Sequence, residues 1–177
     1  MKTSMKDLLG SAAVVAGLVF VGVEIRQSTI AAKAVAYQEL GLATAAVWAD
    51  LSQDPEALRV NVIMTTTGRT GPVPYPGLDG ALRVGANMMA WFRIAETVHL
   101  QVEQGLLPDD AMERLGYATS FDSPVASCAW PIARDAVGPQ FRAYLEQNFD
   151  FARYDCSHFL AQFQADISTA PDGWISP

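Results

Sequence analysis

Two acid and histidine pairs form the sharpest chemical pattern in this sequence of 177 residues. Glu96 and His99 stand three positions apart, and Asp155 and His158 repeat that spacing. On a helix the spacing puts both side chains on one face. Ferritin-like proteins hold two metal ions with such pairs on two helices and one carboxylate from each of two others. Further carboxylates that would complete such a site are Glu39, Glu113 and Glu146.

The same residues also fit an ordinary polar helix face. Glu96, His99 and Glu103 have the spacing of side chains that pair along a single helix. Asp155 is shorter than the glutamate usual in two-metal sites, and Cys156 has no second cysteine near it in the sequence to support a metal or catalytic role. The sequence therefore predicts no cofactor, and metal binding stays an alternative hypothesis.

Signatures of common catalytic and cofactor sites are missing. The sequence contains no GxGxxG, Walker A, GxSxG, HExxH, CxxC or CxxCH motif. Its 12 basic and 19 acidic residues give a formal net charge of -7, without a basic cluster that would neutralise phosphates. We therefore expect a protein that is not an enzyme and does not bind nucleic acid.

Residues 8–25 form an apolar run whose only charge is Glu24, close to its end. As a helix these 18 residues span roughly 27 Å, nearly the hydrocarbon thickness of a bilayer. A cleaved signal peptide is one alternative, but the small triplet at 34–36 lies about ten residues beyond the run, after several charges. A buried helix of a soluble domain is another, although no amphipathic stripe is visible. The run predicts one transmembrane anchor.

Small residues punctuate this run. Ala13 and Gly17 stand four positions apart on one helix face. In lipid, such spacing lets a second helix approach closely. The pair predicts that the anchor packs on a partner's transmembrane helix, although small residues are also common in such segments.

Cys128 and Cys156 bear on the side of the membrane that holds the rest of the chain. If that part is exported, the two form one disulfide that contributes roughly 3 to 4 kcal/mol by the loop-entropy estimate. If it is cytoplasmic, they are two small buried apolar residues. Basic residues tie on the two sides of the run, and the short N-terminal tail favours an N-terminus in the cytoplasm and an exported domain.

The remaining chain predicts an all-α fold, with one transmembrane helix that continues into a soluble helical bundle. Apolar residues recur at helical spacing over 27–51 and 78–104, and period-two alternation is absent. We divide the chain into a tail and anchor at 1–26, a helical domain at 27–163 with a Pro/Gly loop at 68–80, and an irregular C-terminal tail at 164–177.

Three aromatic residues next to proline or in the tail are candidate partner contacts. Tyr75 lies in the PVPYP segment, Trp130 precedes Pro131, and Trp174 is the fourth residue from the C-terminal end of the sequence. Tyr and Trp are enriched in interface cores.

Two segments resemble a large group of uncharacterised bacterial membrane proteins. These are LVFVGVEIRQST at 18–29 and WFRIAETVHLQVEQGLLPDDAMERLGY at 91–117. The group shares a single N-terminal membrane helix with an "FVG…IRQ" signature, followed by a helical domain. The resemblance implies a single-pass bacterial membrane protein with a helical domain, and it implies no activity. With the orientation favoured by the short N-terminal tail, we expect a location in the inner membrane with the domain in the periplasm.

These observations favour a non-catalytic accessory or scaffolding subunit. We expect its partners to be the bilayer and the subunits of a larger integral membrane complex, of respiratory or photosynthetic reaction-centre type. One alternative is a membrane-tethered di-metal or other metal-binding protein. The other is a solitary anchored sensor or binding domain.

Overall fold

The structure, a computed structural model, describes the backbone of residues 5–169 and the side chains of residues 14–169. Its described part contains eight α-helices, one 3₁₀ turn at Arg134–Ala136 and no strand, which confirms the predicted all-α class. The helices are α1 (Met5–Gln53), α2 (Pro55–Gly68), α3 (Leu78–Glu103), α4 (Ala111–Arg114), α5 (Tyr117–Phe121), α6 (Pro124–Ala133), α7 (Pro139–Asn148) and α8 (Ser157–Ser168).

The chain divides into two compact units, one up to Glu39 and one from Leu40 onward. In the first unit every described side chain from residue 14 to 35 is exposed. Helix α1 is the one described helix long and apolar enough to cross a membrane, with a mean hydropathy of 1.5 in its most apolar stretch. The division falls later than the predicted boundary after Arg26, because Leu40 is the first buried residue of α1.

Helix α3 is the centre of the second unit. It contacts α2, α4, α6, α7 and α8. The predicted apolar stripe is buried from Val84 to Val98, with Ala95 and Val98 fully inaccessible to solvent. Phe92, predicted to widen that stripe, stacks on Phe121 of α5 with 5.2 Å between ring centroids. A helix that is apolar on more than one side thus lies in the middle of the bundle, as its sequence predicts.

The last turns of α1 close one side of this bundle. Leu40, Val47 and Leu51 are buried, and the hydroxyls of Thr44 and Tyr117 hydrogen-bond at 2.8 Å. The helical spacing of apolar residues over 27–51 includes Trp48 together with Thr44 and Leu51, and this pattern predicts that Trp48 lies on the packed face. Its side chain is 52% exposed instead, because Val47, one position earlier, takes the buried place.

The Pro/Gly connection occupies only residues 69–77, because α2 extends to Gly68 and α3 begins at Leu78. The start of α2 follows the capping pattern that an Asp-Pro pair predicts. Asp54 accepts hydrogen bonds from the backbone N–H groups of Glu56 and Ala57, and Pro55 occupies the first turn of α2.

The C-terminal part differs from the sequence-based division. Residues 149–156 are not helical, whereas α8 continues to Ser168 and makes residues 164–168 helical rather than irregular. Tertiary contacts explain the extension. Phe159 is buried, and Asp166 of α8 accepts a 2.6 Å hydrogen bond from the Tyr75 hydroxyl.

A disulfide joins Cys128 of α6 to Cys156, which directly precedes α8. The backbone N–H of Val73 donates to the carbonyl of Asp155 at 2.9 Å beside this bond. The bridge and the hydrogen bond together fix the start of α8 against α6 and the 69–77 connection.

Alanine substitutions at two glycines should change the free energy of unfolding in opposite directions. We expect Gly85→Ala, inside α3, to raise the free energy of unfolding by about 1 kcal/mol, because helix-interior glycine costs about that much and the added methyl meets nothing within 4 Å. Gly68→Ala should lower it by about 1 to 3 kcal/mol through overpacking. Its Cβ would lie 2.6 Å from Cβ of Pro124 and 2.8 Å from Cγ2 of Val73.

Denaturant unfolding of the full chain in detergent, followed by circular dichroism, measures both changes. Shifts of the two variants in the same direction would contradict this packing.

Candidate ligand cleft

Glu96, the first predicted metal ligand, joins α3 to the turn before α7. Its carboxylate accepts a 2.6 Å hydrogen bond from the backbone N–H of Gly138 and a 2.8 Å bond from the Arg93 guanidinium. Arg93 also donates to the carbonyl of Ala136 at 2.9 Å. The Glu96 side chain is only 14% exposed. Its hydrogen bonds give this partly buried acid a structural role.

His99 lies under α7. Its ring stacks on Tyr144 with 4.5 Å between centroids and tilts against Phe141 at 5.6 Å. Nε2 is 3.4 Å from the carboxylate of Glu103. This is the helical polar pairing that the sequence offered as the alternative to a metal site.

Asp155 and His158 do not form a helical pair, because α8 begins only at Ser157. Asp155 lies before the helix, where it accepts hydrogen bonds from the backbone N–H and the hydroxyl of Ser157. The Ser157 hydroxyl, as the largest cause, lowers the pKa of the Asp155 carboxyl. His158 is exposed.

The four predicted ligands therefore do not form the proposed di-metal site. Among the described residues no group of three or more His, Cys, Asp and Glu side chains is arranged to hold a metal ion. Glu146, one of the extra carboxylates, pairs with Arg134 at 3.1 Å. Residues 149–156 are not helical, so Asp155 lies outside α8 while His158 lies within it. The second acid and histidine pair therefore does not share a helix face, although its spacing in the sequence equals that of the first.

Two of the predicted partner contacts are internal. Trp130 is 5% exposed and stacks on Phe151 at 4.9 Å, so it belongs to the core. Tyr75 packs edge-on against Phe159 at 5.6 Å, and its hydroxyl bonds to Asp166. Burial and the Asp166 carboxylate raise the pKa of Tyr75. Trp174 and the side chain of Ala13 lie outside the described residues.

A cleft of about 340 Å³ in the second unit combines polar and apolar lining residues. Five helices, α1, α2, α3, α5 and α6, and the turns beside them line it. We call it the Trp48 cleft. Its lining residues are Trp48, Leu51, Asn61, Thr65, Arg69, Asn87, Met88, Trp91, Gly116, Thr119, Ser120, Ser123 and Val125.

The floor of the Trp48 cleft is apolar and its wall is aromatic. Leu51, Met88 and Val125 are buried. Trp91 is 3% exposed, and its ring meets the half-exposed ring of Trp48 edge to face with 5.4 Å between centroids. One indole is therefore fixed in the core while the other stands at the opening.

A polar row from α2 forms the opposite side. Asn61, Thr65 and Arg69 stand four positions apart, so they follow one face of the helix and its first residue beyond the end. The neighbouring face, which includes Val60 and Met64, is buried against the core. Burial of one face thus aims the polar row along the cleft.

Several polar groups of the cleft have no protein partner. Ser120 and Ser123 donate to backbone carbonyls, and Nδ2 of Asn87 reaches the carbonyl of Val47 at 3.4 Å. In the part of the chain that the structure describes, the side chains of Asn61, Thr65, Arg69 and Thr119 make no such bond. These groups can bind a ligand without losing an internal hydrogen bond. A sequence signal existed in the spacing of Asn61, Thr65 and Arg69, but nothing in the sequence placed Trp48 opposite them.

Comparisons of the chain with models of protein families, with curated proteins and with solved structures found no match.

The structural role of Glu96 is testable. We expect Glu96→Ala to lower the free energy of unfolding by about 1 to 3 kcal/mol, because it leaves the Gly138 N–H without its partner. Glu103→Ala, on the same helix, removes a 49% exposed carboxylate and should cost at most about 1 kcal/mol. Thermal and denaturant unfolding of both variants would measure the difference, and equal losses would contradict the assignment.

Proposed function

We propose that this chain is a non-catalytic accessory subunit, anchored by α1 and docked on a larger integral membrane complex. A respiratory or photosynthetic reaction-centre complex is the type of host that we propose. The observation that carries the proposal is the uniform exposure of an apolar helix. Leu18, Val19 and Phe20 are 60 to 70% exposed, a state that is stable in lipid or against another apolar helix and costly in water.

The small residues of α1 support docking through the membrane. A Cβ added at Gly17 or Gly22 meets nothing within 4 Å, so both glycines leave open grooves on the helix surface. A transmembrane helix of the host can approach the α1 backbone there, and the pair of Ala13 and Gly17 defines the proposed face.

Exposed apolar side chains on the second unit support a further contact outside the membrane. Leu42 is 63% exposed on α1. Leu58 and Val62 are 39% and 50% exposed one turn apart on α2, and they form a short apolar strip. Exposed apolar surface of this kind is typical of protein contact sites.

The disulfide supports an exported domain. A bond between Cys128 and Cys156 persists in an oxidising compartment, and thiol systems of the cytosol would reduce it. We therefore propose the bacterial inner membrane as the location, with the N-terminus in the cytoplasm and the second unit in the periplasm. The net charge of -7 would keep the acidic domain off anionic lipid headgroups.

A second candidate is a solitary anchored binding domain. The Trp48 cleft favours it, because apolar walls with a few convergent polar groups are typical of ligand sites. This candidate predicts a monomer or small homodimer in mild detergent, whereas the accessory subunit predicts a large particle.

Gentle detergent extraction of native membranes, followed by sizing and mass spectrometry, distinguishes the two. We expect the chain to migrate with a large complex in a fixed ratio. Gly17→Leu should reduce that co-migration, since the added side chain fills the groove in which the partner helix packs. Val19→Leu, an apolar change at an exposed site on the opposite side of the same helix, should leave it unchanged.

Migration of the wild-type chain alone would reject the accessory subunit and support the solitary domain. Equal retention of both variants in the complex would reject docking through the Gly17 face.

A further inference from the structure

We propose that the Trp48 cleft binds a small organic monocarboxylate with a flat apolar body. The carboxylate would pair with Arg69, and the body would lie against the indole of Trp48. This inference goes beyond the proposed function, because it concerns a ligand and not the host complex.

Charge is the first argument. Arg69 is the only charged residue that lines the cleft. Each of the other arginines between residues 59 and 153, all of which the structure describes, has a carboxylate within ion-pair distance. Arg69 has none among the described residues, so within the described part of the chain its guanidinium is the one arginine of that stretch without a counterion. A guanidinium binds a planar carboxylate with two parallel hydrogen bonds.

Asp155, which borders a separate hollow with Arg69, does not supply that counterion. Its carboxylate accepts the hydrogen bonds of Ser157 and lies beyond ion-pair distance of Arg69.

The first turn of α6 adds a second preference for a negative ligand. Ser123 and Val125 line the cleft at the positive end of this helix. Few donors are available there, however, because Pro124 has no N–H and the Ala126 N–H already bonds to the Ser123 hydroxyl. One guanidinium with few backbone donors suits a single negative charge. A dianionic phosphate would need more donors than this.

Size and lining define the rest of the ligand. A space of about 340 Å³ is at the small end of ligand pockets. Its apolar floor of Leu51 and Met88 excludes a second charged group, since a buried charge without a partner is costly. The exposed face of Trp48 offers a flat surface for an aromatic or alicyclic ring.

The polar row explains how such a ligand would be oriented. Thr65 lies one turn from Arg69 along the row and Asn61 two turns from it, and neither side chain has a hydrogen-bond partner among the described residues. Their amide and hydroxyl groups can bond to the second carboxylate oxygen or to a hydroxyl on the ring. The row therefore fixes the carboxylate at the Arg69 end and the ring at the Trp48 wall.

Isothermal titration calorimetry on the purified full chain in detergent tests this. The probes are 3-phenylpropionate, its uncharged amide 3-phenylpropionamide, acetate and inorganic phosphate. We expect 3-phenylpropionate to bind about tenfold or more tightly than each of the other three, because only it has both the charge and the ring.

Two variants and one control locate the contacts. Arg69→Gln should weaken 3-phenylpropionate about tenfold and leave the amide unchanged, so that acid and amide become equal. Trp48→Ala should weaken acid and amide alike. Arg59→Gln removes a guanidinium that is paired with Glu56 on the same helix and does not line the cleft, so binding should not change.

Several results would overturn the proposal. These are absence of binding by 3-phenylpropionate, equal affinity for acid and amide in the wild type, phosphate as the tighter ligand, or an effect of Arg59→Gln as large as that of Arg69→Gln. None of them bears on the membrane complex, because extraction and sizing test docking without any added ligand. Failure of one proposal is thus distinguishable from failure of the other.

Discussion

Burial of α3 is the constraint on which the second unit depends. Trp91, Phe92, Ala95 and Val98 are almost inaccessible to solvent. Five other helices contact α3, and their positions are set by this packing. Apolar side chains on more than one side leave α3 no stable position at a surface. Each covering helix must therefore present an apolar stripe inward, and its polar residues are forced outward or to the edges between helices. The Trp48 cleft is one of these edges.

This constraint also explains which features the sequence could predict. In a long periodic stretch such as residues 78–104, the spacing of the apolar residues identifies the buried face, and the predicted bounds of α3 differ from the observed ones by one residue. The capping residue Asp54 likewise marks the start of α2. Trp48 was placed on the wrong face, because Val47 beside it is also apolar and only tertiary packing chooses between them. Near the C-terminus the decisive contacts are long-range. The Tyr75 hydroxyl bonds to Asp166, 91 positions away, and no local pattern encodes that bond.

The candidate site was less predictable than the fold for a related reason. A motif search selects residue types that act as catalysts or metal ligands in other proteins. Here it selected two acids whose carboxylates hold the backbone of turns in this fold. Glu96 holds the backbone at Gly138, and Asp155 holds the start of α8. A satisfied carboxylate is stabilised by its protein donors and gains little from a metal ion. In the Trp48 cleft, the side chains without a partner among the described residues are one neutral amide, two hydroxyls and one arginine, and this set matches none of the catalytic motifs considered above.

That division between satisfied and unsatisfied groups constrains how this domain can work. At the turn before α7 and at the start of α8, side-chain hydrogen bonds fix the conformation of the connecting segment. Around the Trp48 cleft the backbone is positioned by the buried faces of α2 and α3, and the side chains of Asn61, Thr65 and Arg69 make no hydrogen bond to other described residues. Ligand binding there would exchange water for ligand without unfolding any element. The residues that line the cleft all belong to the unit from Leu40 onward, whereas the exposed apolar stretch of α1 belongs to the unit up to Glu39. The proposed ligand contacts and the proposed membrane contacts therefore involve different residues, and one can be altered without the other.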